Sequence, residues 1–439
     1  KSGIFPMESS AFPWYSEGKK HRFGGTPPLR KLLAVLAACF LLLGGAGCQF
    51  LWPNAPTSSE ETDKHGAYAG EYTGKWCYQR LNTRMQACYA AIYEAVAEGI
   101  DADEMVTVAD SKSSTPPQEY HGVKVTLPRQ LFSRSEAQTL YVAFTWDNPQ
   151  FFFISNTYGL TGRNADSYDS ISLVFTMNAQ ERAAAQRQLD RALNDILADI
   201  RPGTYEYGKE LTIHDAVAAR CRYDEEAAAA ADPAAQFPNA FSAYGALVEG
   251  RAVCEGYSRA MQLLLHKAGI ECTLVSGAGK KTGVAHMWNL VTIDGRNYHV
   301  DATWDDSDDV LRHNYFNLTT EQIEISHRLD KDNIGVDTCT ATEANFFVHG
   351  KTYLHTYKQD DIAAVIAQQV RLGKDAVEMR FSDDTYGNAA VFLRQTKVLT
   401  AKVNALLQDA GLAMWEYEVR GEPDEKILSL YKKGAYPKG

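Results

Sequence analysis

The chain has 439 residues, long for one domain, so two or three compact units are expected. Hydrophobic residues at 45% and aromatics at 11% are enough to build real cores, which argues against general disorder. A formal charge of −11 with no basic stripe to offset it argues against nucleic acid as a partner.

Residues 1–47 read as a basic flank and an export signal. Lys19, Lys20, Arg22, Arg30 and Lys31 precede an apolar run from Leu32 to Leu43, and the small residues Gly44-Gly45-Ala46-Gly47 then lead to Cys48. The run is too short for a transmembrane helix and suits a signal peptide. Small residues directly before a cysteine resemble the bacterial lipobox, which makes Cys48 the candidate lipidation site. Gly45 stands where that motif usually has leucine. Leu36-Ala37-Ala38-Cys39 matches better locally but leaves too little apolar core before it, and an ordinary cleaved signal or an uncleaved anchor is the alternative. The expectation is a bacterial lipoprotein, exported and held on the outer face of the cell membrane through its N-terminal lipid. Residues 48–75, with Pro53, Pro56, Ser58 and Ser59, read as a flexible tether.

Residues 76–205 form an expected N-terminal α+β region. Tyr78, Leu81, Met85, Cys88, Ile92 and Val96 recur at helical spacing from Trp76 onward. A strand is predicted at Val123–Leu127, and a helix from Ser135 with cap chemistry in Ser133–Glu136. Asp147-Asn148-Pro149 then breaks the chain before Phe151–Ile154. A strand at Ile171–Thr176 and a long helix at Ala179–Ile200 complete the region. The eight cysteines include no CxxC pair, so neither a zinc knuckle nor a thioredoxin-type motif is indicated. Cys77 and Cys88, on one continuous predicted helix, lie roughly 16 Å apart at helical rise and could not form a disulfide.

After Arg201-Pro202-Gly203 comes the expected core, 206–346. A helix at Glu210–Cys221 and an alanine-rich loop, Glu225–Ala235, precede the stretch Gly250–Trp304, which carries the chemistry. Apolar residues Tyr257, Ala260, Met261, Leu264 and Leu265 predict a helix over Ala252–Lys267, with Gly269 as its stop signal. Cys254 therefore falls in the first turn, where unpaired N–H groups and the helix dipole favour a thiolate and can hold an oxyanion. Gly250 and Gly256 are expected to admit substrate backbone. Asp294-Gly295 predicts a two-residue hairpin between Met287–Ile293 and Arg296–Thr303. That loop sets Trp288 opposite Asp301 and His286 opposite Thr303, making His286 and Asp301 diagonal neighbours on one sheet face. The roles follow: Cys254 as nucleophile, His286 as the base that activates it, Asp301 as the group that holds the imidazole, with Trp288 and Asn289 flanking in support.

Three other patterns fail. Gly277–Thr282 has Leu274 in place of a phosphate loop's first glycine and Lys281 at its Ser/Thr site. Gly256–Ala260 ends in Ala and lies inside a helix, unlike a nucleophile elbow. Asp305-Asp306-Ser307-Asp308-Asp309 lacks the EF-hand pattern and reads as a solvated loop. Residues 347–439 read as a small α+β accessory unit, with helices at Gln359–Leu372 and Ala389–Ala410 and strands at Ala376–Phe381, Met414–Val419 and Lys426–Leu430.

The VCEGY helix start, the His286 that precedes Trp288-Asn289 by two residues and the HVDATWDD strand resemble the transglutaminase-like superfamily of papain-fold thiol enzymes. Ile213-His214-Asp215 and Arg222-Tyr223-Asp224 look like the helix that precedes the nucleophile there. The resemblance implies an α+β fold, a papain-like core in which a helix beginning at the cysteine packs on an antiparallel sheet, and the triad Cys254, His286 and Asp301. Tyr244, ten residues before the cysteine, is the candidate oxyanion partner. No metal and no cofactor is implied. The expected activity is that of a cysteine peptidase or amidase working on peptide or glutamine-type amides, cell-wall peptide among them. Amine transfer that cross-links proteins is the alternative on the same triad, and a silent peptide- or glycan-binding module is the alternative of another class.

Overall fold

The computed structural model describes residues 68–108, 117–131, 133–164, 167–306, 310–330 and 333–435. The expected signal, Cys48 and residues 48–67 of the expected tether lie outside the described residues. Among those described, no helix is long and apolar enough to cross a membrane.

The chain is mixed α+β, with three four-stranded sheets among the described residues. The N-terminal sheet runs β1 (Met105–Val108), β2 (Gln118–Leu131), then β4 (Ser167–Phe175) and β3 (Ile154–Asn164) at its other edge. The helix Arg134–Asp147 starts where expected, with the Ser133 side chain accepting from Glu136 N–H. Asn178 caps the helix Ala179–Leu197 in a reciprocal capping box with Glu181.

Structure begins before Trp76. A short helix at Ala69–Tyr72 buries Tyr72 against the rings of Tyr78, Tyr89 and Tyr93, so this stretch is folded where the composition suggested a tether. The helix expected to carry both Cys77 and Cys88 is broken: Trp76–Arg80 ends at Leu81, and Asn82 caps a second helix, Thr83–Glu98. Asp147 fixes the first piece by accepting from the N–H groups of Cys77 and Tyr78. Both cysteines are free and buried.

The central sheet has the order β10 (His327–Leu329), β7 (Cys272–Gly279), β8 (Ala285–Ile293), β9 (Arg296–Val300), antiparallel throughout. The helix Cys254–Lys267 packs on it, burying Tyr257, Met261, Leu264 and Leu265. A short parallel pair, β5 (Arg222–Tyr223) with β6 (Arg251–Ala252), leads into that helix. One apolar core is continuous from Tyr72 to Ala344 and joins the N-terminal sheet to this central layer. Arg259 crosses between them, donating to Thr145 O at 2.7 Å while paired with Glu255.

A second core, Ile362 to Leu430, belongs to the C-terminal unit. There β11 (Tyr353–Leu354) lies parallel to β12 (Ala376–Phe381), followed by β14 (Ile427–Lys432) and β13 (Tyr417–Glu422). The single helix expected at Ala389–Ala410 is two, Asp383–Leu393 and Thr396–Leu407. The first begins on the acidic Asp383-Asp384, favourable at a positive helix end, and Tyr417 Oη donates to its terminal Leu393 carbonyl. The unit is joined to the central layer by Arg312–Glu422 at 2.6 Å and by the pair His313–Glu378.

Candidate active site

Cys254 is the first residue of its helix, following Val253, whose N–H donates to Ala240 O at 3.0 Å. The approach is shaped by a π-type turn, Gly245–Glu249, closed by Gly250 at φ 69°, a left-handed position that favours glycine. Gly256 has a packing reason. A Cβ there would meet Ala240 O and the Ala252 side chain, each at 2.6 Å. Both glycines therefore have a reason in the protein's own backbone conformation and packing. A Gly256→Ala variant is expected to lose about 1–3 kcal/mol from forced shifts at the start of the helix, read out by urea unfolding; an unchanged midpoint would contradict this.

The hairpin has the expected register. Ile293 pairs with Arg296 and Asn289 with Val300, and Asp294 and Gly295 both take positive φ, 49° and 72°. The second strand stops earlier than expected, at Val300. Asp301 is the cap of a one-turn helix, Ala302–Asp305, and its Oδ1 accepts from Thr303 N–H at 3.0 Å and Trp304 N–H at 3.2 Å. His286 does not face Thr303 across a ladder; its strand partner is Gly277.

Oδ2 of Asp301 accepts from His286 Nε2 at 2.6 Å and from His327 Nε2 at 3.0 Å. All three side chains are fully buried. His327, on the edge strand β10, was not singled out by sequence: it stands alone, outside any motif, and only strand pairing brings it to Asp301. Its Nδ1 lies 2.8 Å from Ser326 Oγ, a donor able to fix the neutral tautomer. Burial lowers the pKa of His327 more than its Asp301 contact restores it.

His286 titrates the opposite way. Burial alone would lower it, but the Asp301 carboxylate and, beyond it, Cys254 raise it to about 10. Asp301 would be raised by burial, yet His286 and then His327 hold it well below the usual carboxylate range. The Nδ1 atom of His286 is buried, has no hydrogen-bond partner at full bonding geometry, and is left for the Cys254 side.

These shifts predict a pH dependence. A histidine raised in the folded state contributes stability that is complete below its ordinary value of 6.5 and lost as pH climbs through the folded value. His286, raised to about 10, acts in this direction because its Asp301 partner outweighs the lowering by burial. The melting temperature is expected to fall between pH 6.5 and 10, and less steeply in His286→Gln. Equal slopes in the two proteins over that interval would contradict a charged His286.

Trp288 and Asn289 have distinct placements. Trp288 is fully buried, stacks on His286 at 6.0 Å between centroids, meets His327 edge-on at 4.9 Å, and donates from Nε1 to His299 Nδ1 at 3.1 Å. Asn289 instead ties the sheet to the cysteine helix, donating to Ser258 O at 3.0 Å and to Cys272 Sγ at 3.4 Å. Trp304 lies over the histidine pair, 4.0 Å from His327 and 5.3 Å from His286. Tyr244 is placed elsewhere. Its ring stacks on Phe152 and its hydroxyl donates to Gln188 at 2.6 Å, so its one proton is not turned toward the cysteine. The donors left for an oxyanion are the first-turn N–H groups of the cysteine helix, which lack intrahelical acceptors.

The acidic run after Trp304 is not a solvated loop where it is described. Asp305 is buried and accepts from Tyr315 N–H, and Asp306 accepts from Tyr257 Oη at 2.5 Å. Residues 307–309 lie outside the described residues.

Residues 194–302 match the family model described as Transglutaminase-like superfamily. No curated protein matches the chain. Among solved structures, one named "Crystal structure of a TGase" is 18% identical over 39% of this chain and 48% of that one, with a TM-score of 0.24. A second, named a "Putative Cysteine Protease from Cytophaga hutchinsonii", is 14% identical over 31% and 52%, with a TM-score of 0.21. A third, named a "Putative Protease from Parabacteroides distasonis", is 12% identical over 31% and 29%, with a TM-score of 0.20. The chain spans about half the length of the first two. The cysteine helix and strands β7, β8 and β9 of the antiparallel sheet all lie within residues 194–302, the segment similar to the transglutaminase-like superfamily.

Proposed function

We propose that this core is a thiol acyl-transfer enzyme that opens peptide or glutamine-type amides, with water as the usual acceptor. The observation that carries the reading is the fully buried His286 Nε2–Asp301 Oδ2 bond of 2.6 Å, with the other ring nitrogen left toward Cys254 at a helix start. Cys254 Sγ adds to the amide carbonyl, and the oxyanion is held by first-turn N–H groups. The imidazolium of His286 protonates the departing amine, the C–N bond breaks, and a thioester remains on Cys254. Water, losing its proton to His286, then releases the acid and restores the thiol. Asp301 stays ionised and steadies the imidazolium throughout.

Hydrolysis is the favoured outcome because water needs no dedicated acceptor site. The test is incubation with a glutamine peptide and a labelled primary amine. Ammonia or cleaved peptide without label in the product is expected, and none of it from Cys254→Ala. Label incorporated into the peptide would replace hydrolysis by cross-linking, and turnover undiminished in Cys254→Ala would remove the nucleophile. The export and anchoring expected from residues 19–48 belong to the same proposal. Intact mass of membrane-extracted protein should show a diacylglyceryl-modified Cys48 at the N-terminus; an unmodified N-terminus, or cleavage elsewhere, would overturn the anchor.

A further inference from the structure

A second histidine–carboxylate cluster lies at the other end of the one-turn helix that Asp301 caps. His214 and Asp215, from the helix Glu206–Arg220, meet His313 from the loop after Asp306. His214 Nδ1 and His313 Nε2 each lie 3.0 Å from the same atom, Asp215 Oδ1. The outer nitrogens are held too: His214 Nε2 by Asp305 Oδ2 at 3.2 Å, and His313 Nδ1 by Glu378 Oε1 at 2.7 Å. Asp305 and Glu378 are both buried, while the Asp215 side chain is 39% exposed.

Every ring nitrogen of the pair thus faces a carboxylate oxygen, which can only accept. With those carboxylates ionised and no cation present, each nitrogen would carry a proton, on two rings whose centroids are only 5.5 Å apart. A single dication replacing the two inner protons would leave the net charge of the cluster unchanged and remove that repulsion. The outer contacts have the form that orients histidine ligands in metal centres, with the distal N–H of each given to a buried carboxylate. Ligand atoms around a tetrahedral zinc lie about 3.4 Å apart, and the three inner atoms here already lie within 4.8 Å of one another.

We propose that His214 Nδ1, Asp215 and His313 Nε2 bind one divalent cation of the zinc class, oriented by Asp305 and Glu378. The first two ligands come from the transglutaminase-like core, whereas Glu378 sits on β12 of the C-terminal unit, so the ion would fasten that unit to the core. It would also brace the far end of the helix Ala302–Asp305, at whose start Asp301 holds His286. The site is separate from the proposed nucleophile and does not depend on the reaction assigned to it.

The other cluster with metal-binding spacing, His286, Asp301 and His327, is the internal rival. Its nitrogens beyond Asp301 meet Cys254 and Ser326 rather than carboxylates, and all three members are fully buried.

The test uses the purified full chain, stripped with EDTA and titrated with cobalt(II) chloride, then with zinc(II) chloride in competition. Expected is one cobalt per chain with visible d–d absorption, displaced by zinc, lost in Asp215→Asn and His313→Gln, and kept in Cys254→Ala. Glu378→Gln should weaken binding roughly 10–100-fold. Asp215 is partly exposed, so its isosteric variant tests the site without emptying the core, and far-ultraviolet circular dichroism confirms that it folds. No cobalt bound by the folded wild type would overturn the proposal. So would bands that survive in folded Asp215→Asn, or a thiolate charge-transfer band that disappears in Cys254→Ala.

Discussion

Asp301→Asn is expected to lower turnover by about four orders of magnitude and to cost about 3–5 kcal/mol of stability. The carboxylate accepts four hydrogen bonds, from His286, His327 and the N–H groups of Thr303 and Trp304. An amide of the same shape still offers one oxygen, but it turns an NH2 group toward two of these donors and removes the negative charge. His286 then loses the partner that holds it cationic in a fully buried setting. It should revert toward the low value that burial alone dictates. Urea unfolding and ammonia release from a glutamine peptide read the two effects separately. A variant that kept turnover near wild type would show that Asp301 serves only as a helix cap.

Trp288→Ala has the largest expected effect on packing. Among the described residues the side chain is the bulkiest of the fully buried ones, and its ring occupies the space a Cβ at Gly277 would need, within 2.6 Å. Removing it should cost about 3–5 kcal/mol through lost contacts and a residual cavity. It would also leave His299 Nδ1 without its donor and free both His286 and His327 on one side. Trp288→Phe separates these terms: it fills most of the space and loses only the N–H, so about 1 kcal/mol is expected. Equal losses in the two variants would mean that the hydrogen bond, and not the packing, carries the residue's contribution.

The parts of the site set by local rules were legible in the sequence. Asp294-Gly295 demands positive φ at two successive residues, and that fixes the hairpin register. The apolar spacing after Cys254 places it at a helix start. What could not be read were choices made by tertiary contact. Strand β9 stops at Val300 because Asp301 finds two N–H groups to cap, a competition that β-propensity does not contain. Gly256 reads as open space in the sequence but is a close approach between backbones. His327 comes to Asp301 only through the β10–β7 pairing, and His214, His313 and Glu378 converge from three separate parts of the chain. In the C-terminal unit the break falls at Arg394-Gln395, where no Gly or Pro marks it, which is why two helices read as one.

The most direct measurement of the central claim is the rate of iodoacetamide labelling of individual cysteines near neutral pH, resolved by peptide mass. All six cysteines among the described residues are free and buried, so the comparison of Cys254 with and without His286, at one and the same position, is what reports activation. Cys254 is expected to react roughly tenfold or more faster than Cys272, whose thiol burial pushes well above its ordinary range, and to slow to a comparable rate in His286→Ala. A Cys254 that labels no faster than Cys272, with a rate indifferent to His286→Ala, would contradict the account.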